Sequence, residues 1–204
     1  MGFKQVGEWG VAKRILAAGP AKMDRAINKT LLQEAHLYRK EIVQGLRKGA
    51  PGGKKFKPIA KSTKQGRKFK KFGGTKPLIR TGDLRNSVQV VKRSAAVFVG
   101  VPRSAKGKDG RSLVNIARVH EFGSRPIVIK ITPKMRRLLA AMFRKTGSKA
   151  AQKASGGRAG GGTLMVIQIP ARPFMRPVEL KLRKGRAKRV QARMSKNLGK
   201  DFGG

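Results

Sequence analysis

The sequence predicts an α+β fold, with a small, mostly antiparallel sheet packed by a long N-terminal helix and a C-terminal helix and carrying flexible basic loops. Three observations point there. A long apolar stripe at spacings of three and four opens the chain. Short Val- and Ile-rich runs of strand length follow it. Amphipathic stretches opened by prolines are interspersed with those runs.

The first helix is predicted over Ala21 to Leu46. Met23, Ile27, Leu31, Ala35, Tyr38, Ile42 and Leu46 make its apolar stripe. Pro20 suits a helix start, and Gly49, Pro51, Gly52 and Gly53 suit its end. Residues 50–77 hold no acid and no regular period. Lysines and arginines crowd there around Phe56, Phe69 and Phe72, which predicts a long basic loop.

Strands are predicted at Ser87 to Val91 and Ala95 to Val101, with Lys92, Arg93 and Ser94 as a hairpin turn. Pro102 to Ser112 reads as a polar loop, and Leu113 to Phe122 as a short helix stopped by Gly123. Pro126 to Ile131 alternates as a strand. Pro133 opens a helix with Met135, Leu138, Leu139, Met142 and Phe143 on one face. Residues 146–162 are a linker of Gly, Ala, Ser and Lys, and Thr163 to Ile169 is a strand. From about Met175 the chain turns helical again, with Val178, Leu182, Val190 and Met194 as its apolar positions. A sheet of this size has open edges, and oligomerisation is one way to cover them.

Charge is the strongest compositional signal. Fifty Lys and Arg against nine acids give a formal charge of +41 in 204 residues. A compact domain so charged repels itself unless a polyanion or an acidic partner lies against it. Both readings stay open on composition. There is no cysteine, which removes disulfides and thiol chemistry. No apolar run approaches the ~20 residues of a membrane helix, and Lys13 and Arg14 interrupt the one N-terminal apolar stretch. A soluble chain made in a host cytoplasm is expected.

The residues do not assemble a catalytic site. The two histidines are His36 and His120. A zinc-protease helix pairing His120 and Glu121 would need a second His at position 124, which is Ser124. The nine acids are dispersed and form no cluster for magnesium. The glycine run at 156–162 lacks the Gly-Lys-Ser/Thr ending of a phosphate-binding loop. The expectation is a protein that is not an enzyme and has no cofactor and no metal. For nucleic acid there is charge but too few aromatics for a stacking platform. Lys68, Lys70, Lys71, Arg186, Lys188 and Arg189 are the candidate DNA contacts, made to phosphates without sequence preference.

Three short motifs narrow the choice. They are PLIRTGDLRNSV at 77–88, ARVHEFGSRP at 117–126 and IPARPFMRPVE at 169–179. FKPIAKST at 56–63 adds a weaker echo. In order and spacing they resemble the virion-morphogenesis and tail-completion proteins of bacteriophages, including the Mu-like ones, over residues 20–182. The resemblance implies an arm at 1–19, a tail-completion-like domain at 20–182 and a basic C-terminal extension at 183–204. It implies a structural neck protein, part of the virion, that forms a ring at the head-tail junction. Expected partners are further copies of itself, in a hexameric ring, and the proteins of the portal or connector side and of the tail tube or terminator, with genomic DNA in the lumen and no membrane.

The motif residues singled out are Arg80, Thr81, Gly82, Leu84, Arg85, His120, Glu121, Phe122, Gly123, Pro170, Arg172, Pro173 and Phe174. Gly82, Leu84, Gly123 and Phe174 are expected to hold the fold. Arg80, Arg85 and Arg172 are the better candidates for contacts between subunits. Lumenal DNA alone cannot balance the charge. A ring about 40 Å tall encloses on the order of 24 phosphates. Six copies would bring roughly 246 positive charges. Most of the charge must therefore face outward or meet acidic neighbours.

Overall fold

A computed structural model describes residues 9–69, 71–72, 74–94, 96–144 and 164–202. Helix α1 spans Trp9–Lys48. It starts well before Ala21, so Pro20 lies inside it and residues 9–19 are helix rather than arm. Proline's fixed φ is itself helical, although inside a helix it loses the hydrogen bond to the carbonyl four residues back and its ring crowds that carbonyl. The local sequence therefore does not separate a proline that starts a helix from one inside it.

A 3-10 turn at Pro51–Gly53 follows, and then helix α2, Lys61–Phe69. The predicted 50–77 loop is thus interrupted by ordered backbone. Arg67 holds it together: its Nη1 donates to the carbonyls of Gly74 (3.2 Å), Lys76 (2.9 Å) and Ile79 (3.2 Å). A helix stabilised from its side in this way needs no apolar period, which is why periodicity missed it.

Helix α3 is one turn, Asp83–Asn86, and leads into strands β1 (Gln89–Lys92) and β2 (Val97–Gly100). These pair antiparallel with Val90 opposite Val99. Helix α4, Leu113–Phe122, ends at Gly123 as expected. Strand β3 is Ile127–Lys130, helix α5 Pro133–Arg144 and strand β4 Leu164–Ile167. Strands β3 and β4 pair antiparallel with Val128 opposite Val166. The single small sheet of the sequence reading is therefore two separate two-stranded ribbons among the described residues. The 146–162 linker lies outside the described residues.

The predicted C-terminal helix divides into α6, Arg176–Arg183, and α7, Arg186–Phe202. Gly185 takes φ 73° between them, a left-handed turn that glycine adopts without steric cost. Helix α7 then runs back along α1. Thr30 meets Met194 and Asn197, and Glu34 meets Arg189 and Arg193, so the two helices are antiparallel. Residues 186–202 of the expected 183–204 extension are thus a helix packed on the domain.

The core gathers Ile42, Leu46, Leu84, Val88, Val101, Leu113, Ala117, Phe174, Val178 and Leu182. The lower half of the predicted α1 stripe is accordingly buried. Its upper half is not: Met23, Ile27 and Leu31 are 42%, 36% and 40% exposed. Ala26, Thr30 and Glu34 are buried there instead, beneath α7. On the α1 side this contact is made by small and polar groups, which hydropathy does not mark.

Candidate functional site

The first motif forms a turn. Gly82 takes φ 87° and precedes α3, a left-handed conformation that L side chains adopt only with strain. No side chain caps α3. Asp83 instead reaches across to the loop before α4, where its Oδ2 accepts the Lys108 N–H at 3.1 Å. That bond holds the Asp83 carboxyl below its ordinary range, with help from the Thr81 side chain. Leu84 points into the core, and Ser87 Oγ donates to the Leu84 carbonyl at 2.8 Å.

The second and third motifs clasp each other. Arg172 N–H donates to the His120 carbonyl at 2.6 Å. Ser124 N–H donates to the Ile169 carbonyl at 3.0 Å, and Ser124 Oγ accepts the Ile169 N–H at 2.8 Å. Glu121 closes the clasp. Its Oε2 accepts from the N–H groups of Phe174 (2.8 Å) and Met175 (3.1 Å), and its Oε1 from that of Arg176 (2.9 Å). These donors lie at the start of α6, where backbone N–H groups lack helical partners and a negative charge is favoured. Gly123 takes φ 85°, and a Cβ there would lie 3.3 Å from the Ala171 nitrogen. Phe174 is fully buried in the core.

His120 is a titratable group of the clasp. Burial lowers its pKa, and the charge of Arg172 lowers it further. Its Nδ1 is buried without a hydrogen-bond partner among the described residues. The three motifs together line a groove of about 600 Å³ that includes Arg80, Asp83, Asp109, His120 and Arg172. No group of three metal-binding side chains occurs among the described residues.

Of the arginines expected at subunit contacts, Arg80 pairs with Asp109 at 3.4 Å and stacks 4.8 Å from the Phe72 ring. Arg85 Nε donates to Asn86 Oδ1 at 3.1 Å. Phe122 points outward and is 75% exposed, whereas Pro173 is half-buried and Pro170 exposed. Among the candidate DNA contacts, Lys68, Lys71, Arg186 and Lys188 are exposed, and Lys70 lies outside the described residues. Arg189 turns inward to Glu34 at 2.7 Å and to the Leu182 carbonyl at 2.6 Å. Sequence reasoning missed Ser124 and Glu34, because each acts on backbone or charge far along the chain. No described helix is long and apolar enough to cross a membrane.

The family model of phage virion morphogenesis proteins matches residues 11–198, from the first turns of α1 to the last turns of α7. The chain belongs to the phage virion morphogenesis family. The match runs past residue 182, the expected end of the domain, and takes in the α7 helix that packs on α1. None of the curated proteins or solved structures compared with the chain matches it. Membership in the virion morphogenesis family gives the chain a structural role in building the phage particle. The clasped motifs fit such a role, since their side chains are spent on holding turns and helix ends together.

Proposed function

We propose that this virion morphogenesis protein is a neck component. In this reading it forms a ring at the head-tail junction, completes or joins the tail and lets DNA pass. It works by docking and not by catalysis.

The observation that carries the reading is the β3–β4 ribbon. One of its faces holds Val128, Val166 and Leu164, which are 60%, 64% and 60% exposed. An isolated two-stranded ribbon is marginal in water, and apolar side chains grouped on its face favour burial against a partner. Met23, Ile27 and Leu31 on α1 add a second exposed apolar row. A second copy of the chain is the partner proposed for the ribbon, and connector-side and tail-side proteins are proposed for the two ring faces.

Quantitative mass spectrometry of purified virions tests this. Six or twelve copies per particle are expected of a neck ring. Absence from the particle would overturn the reading.

A further inference from the structure

The α1–α7 junction is a groove of about 560 Å³ with an unusual lining. Lys29 and His36 come from α1, and Arg193, Lys196 and Lys200 from α7. Gln33 and Asn197 complete the lining. No carboxylate lines it. Glu34, next to Gln33 in the chain, is buried and already paired with Arg189 at 2.7 Å and Arg193 at 2.6 Å. Lys29, Lys196 and Lys200 are exposed and form no ion pair among the described residues.

The pattern follows from helical periodicity. Residues 29, 33 and 36 recur at four and three along one flank of α1, and 193, 196 and 200 at three and four along α7. Each row is roughly 10 Å long at 1.5 Å per residue. Because the helices are antiparallel, the rows face each other along their length. Asn197 Nδ2 donates to Thr30 Oγ1 at 2.9 Å and to Gln33 Oε1 at 3.4 Å. That leaves the Gln33 amide N–H groups as further donors.

We propose that this groove binds the phosphate backbone of nucleic acid. Two facing rows of cations with amide donors match a chain of phosphate oxygens, which are contacted by Lys, Arg, Asn and Gln without sequence reading. An acidic protein segment fits less well, because protein interfaces bury apolar and aromatic side chains at their centre and this lining has none. The groove differs from the 600 Å³ motif groove, whose lining mixes Asp83 and Asp109 with its arginines. The inference does not depend on the neck reading, since it requires neither a ring nor a copy number.

The full-length protein is titrated against a short fluorescein-labelled duplex by anisotropy across a potassium chloride series. Lys196→Gln/Lys200→Gln is expected to weaken binding about tenfold and to make the log K against log salt slope shallower by about 2, the loss of two phosphate contacts. Lys29→Gln, on the opposite wall, is expected to make the slope shallower by about 1. Arg103→Gln/Lys106→Gln removes the same charge at exposed positions outside the groove and should lose less than half as much. Thermal melting confirms that each variant is folded. Equal losses in the groove and control variants would overturn the inference in favour of diffuse charge. So would unchanged binding by the groove variants. Polyglutamate that binds more tightly than the duplex, in a manner dependent on Lys196 and Lys200, would assign the groove to an acidic protein segment instead.

Discussion

The Glu121 carboxylate accepts the backbone N–H of Phe174 at 2.8 Å across 53 residues of chain. With Met175 and Arg176 it ties the end of α4 to the start of α6 and seats the fully buried Phe174 ring. A charged acceptor on helix-terminal N–H groups is among the stronger single hydrogen-bonding arrangements. Glu121→Ala should therefore lower the stability by about 2 kcal/mol, read as a reduced urea midpoint, and Glu121→Gln by less. An unchanged midpoint for the alanine variant would show that water replaces the carboxylate at no cost.

Gly82 and Gly123 answer to different constraints. A Cβ at Gly82 would meet only side-chain ends at ordinary contact distance, Arg85 Nη2 at 3.5 Å and Asn86 Nδ2 at 3.9 Å, so Gly82→Ala bears the backbone strain of φ 87° alone, about 1 kcal/mol. At Gly123 the same φ strain combines with a backbone contact at 3.3 Å, and Gly123→Ala should cost more, about 2 kcal/mol. Thermal unfolding of the two variants side by side orders them, and the reverse order would mean that the clasp yields.

Glu34 is buried between Arg189 and Arg193. Removing one partner of a buried ion network leaves the other charges uncompensated. Glu34→Gln should destabilise the chain on the order of 2 kcal/mol, reduced from the value for a fully buried pair because both arginines are partly exposed. It should also speed tryptic cleavage within α7. Loss of stability without faster cleavage of α7 would locate the damage elsewhere.

The His120 pKa is lowered on folding, so the folded state favours the neutral imidazole. The stabilisation is present above the ordinary value of 6.5 and is lost as pH falls through 6.5 toward the lowered value. Urea midpoints should drop between neutral and mildly acidic pH, and His120→Asn should flatten that drop. Asp83 acts in the same direction at lower pH, below its ordinary 3.8. A His120→Asn variant with the full pH slope would remove His120 from this account.

In the proposed reading the β3–β4 ribbon serves self-association and not folding. Val128 and Val166 face each other across it and are exposed. Val128→Lys/Val166→Glu keeps a cross-strand pair of opposite charge and should leave the melting temperature within a few degrees of the parent. It should abolish self-association measured by sedimentation velocity. Retained association would place the subunit contact away from this ribbon.

Local patterns in the sequence determined much of the fold. The 3.6-residue period marks α1, and the bounds of α4 at Leu113 and Phe122 follow from its apolar spacing and Gly123. The four strands were legible as short Val- and Ile-rich runs between turn residues, because each forms its register with a near neighbour or a short apolar partner. The three motifs, read in order, were enough to indicate the family.

Tertiary structure alone decided the rest. The sequence cannot say that Met23, Ile27 and Leu31 stay exposed while Thr30 and Glu34 are buried, because burial depends on where α7 returns, more than 150 residues later. It cannot separate Arg189, held inward by Glu34, from Lys196 and Lys200, which point into an open groove. It does not pair Glu121 with the N–H groups of α6 or divide the strands into two ribbons. Hydropathy records what each residue prefers, whereas these outcomes depend on which distant group arrives beside it.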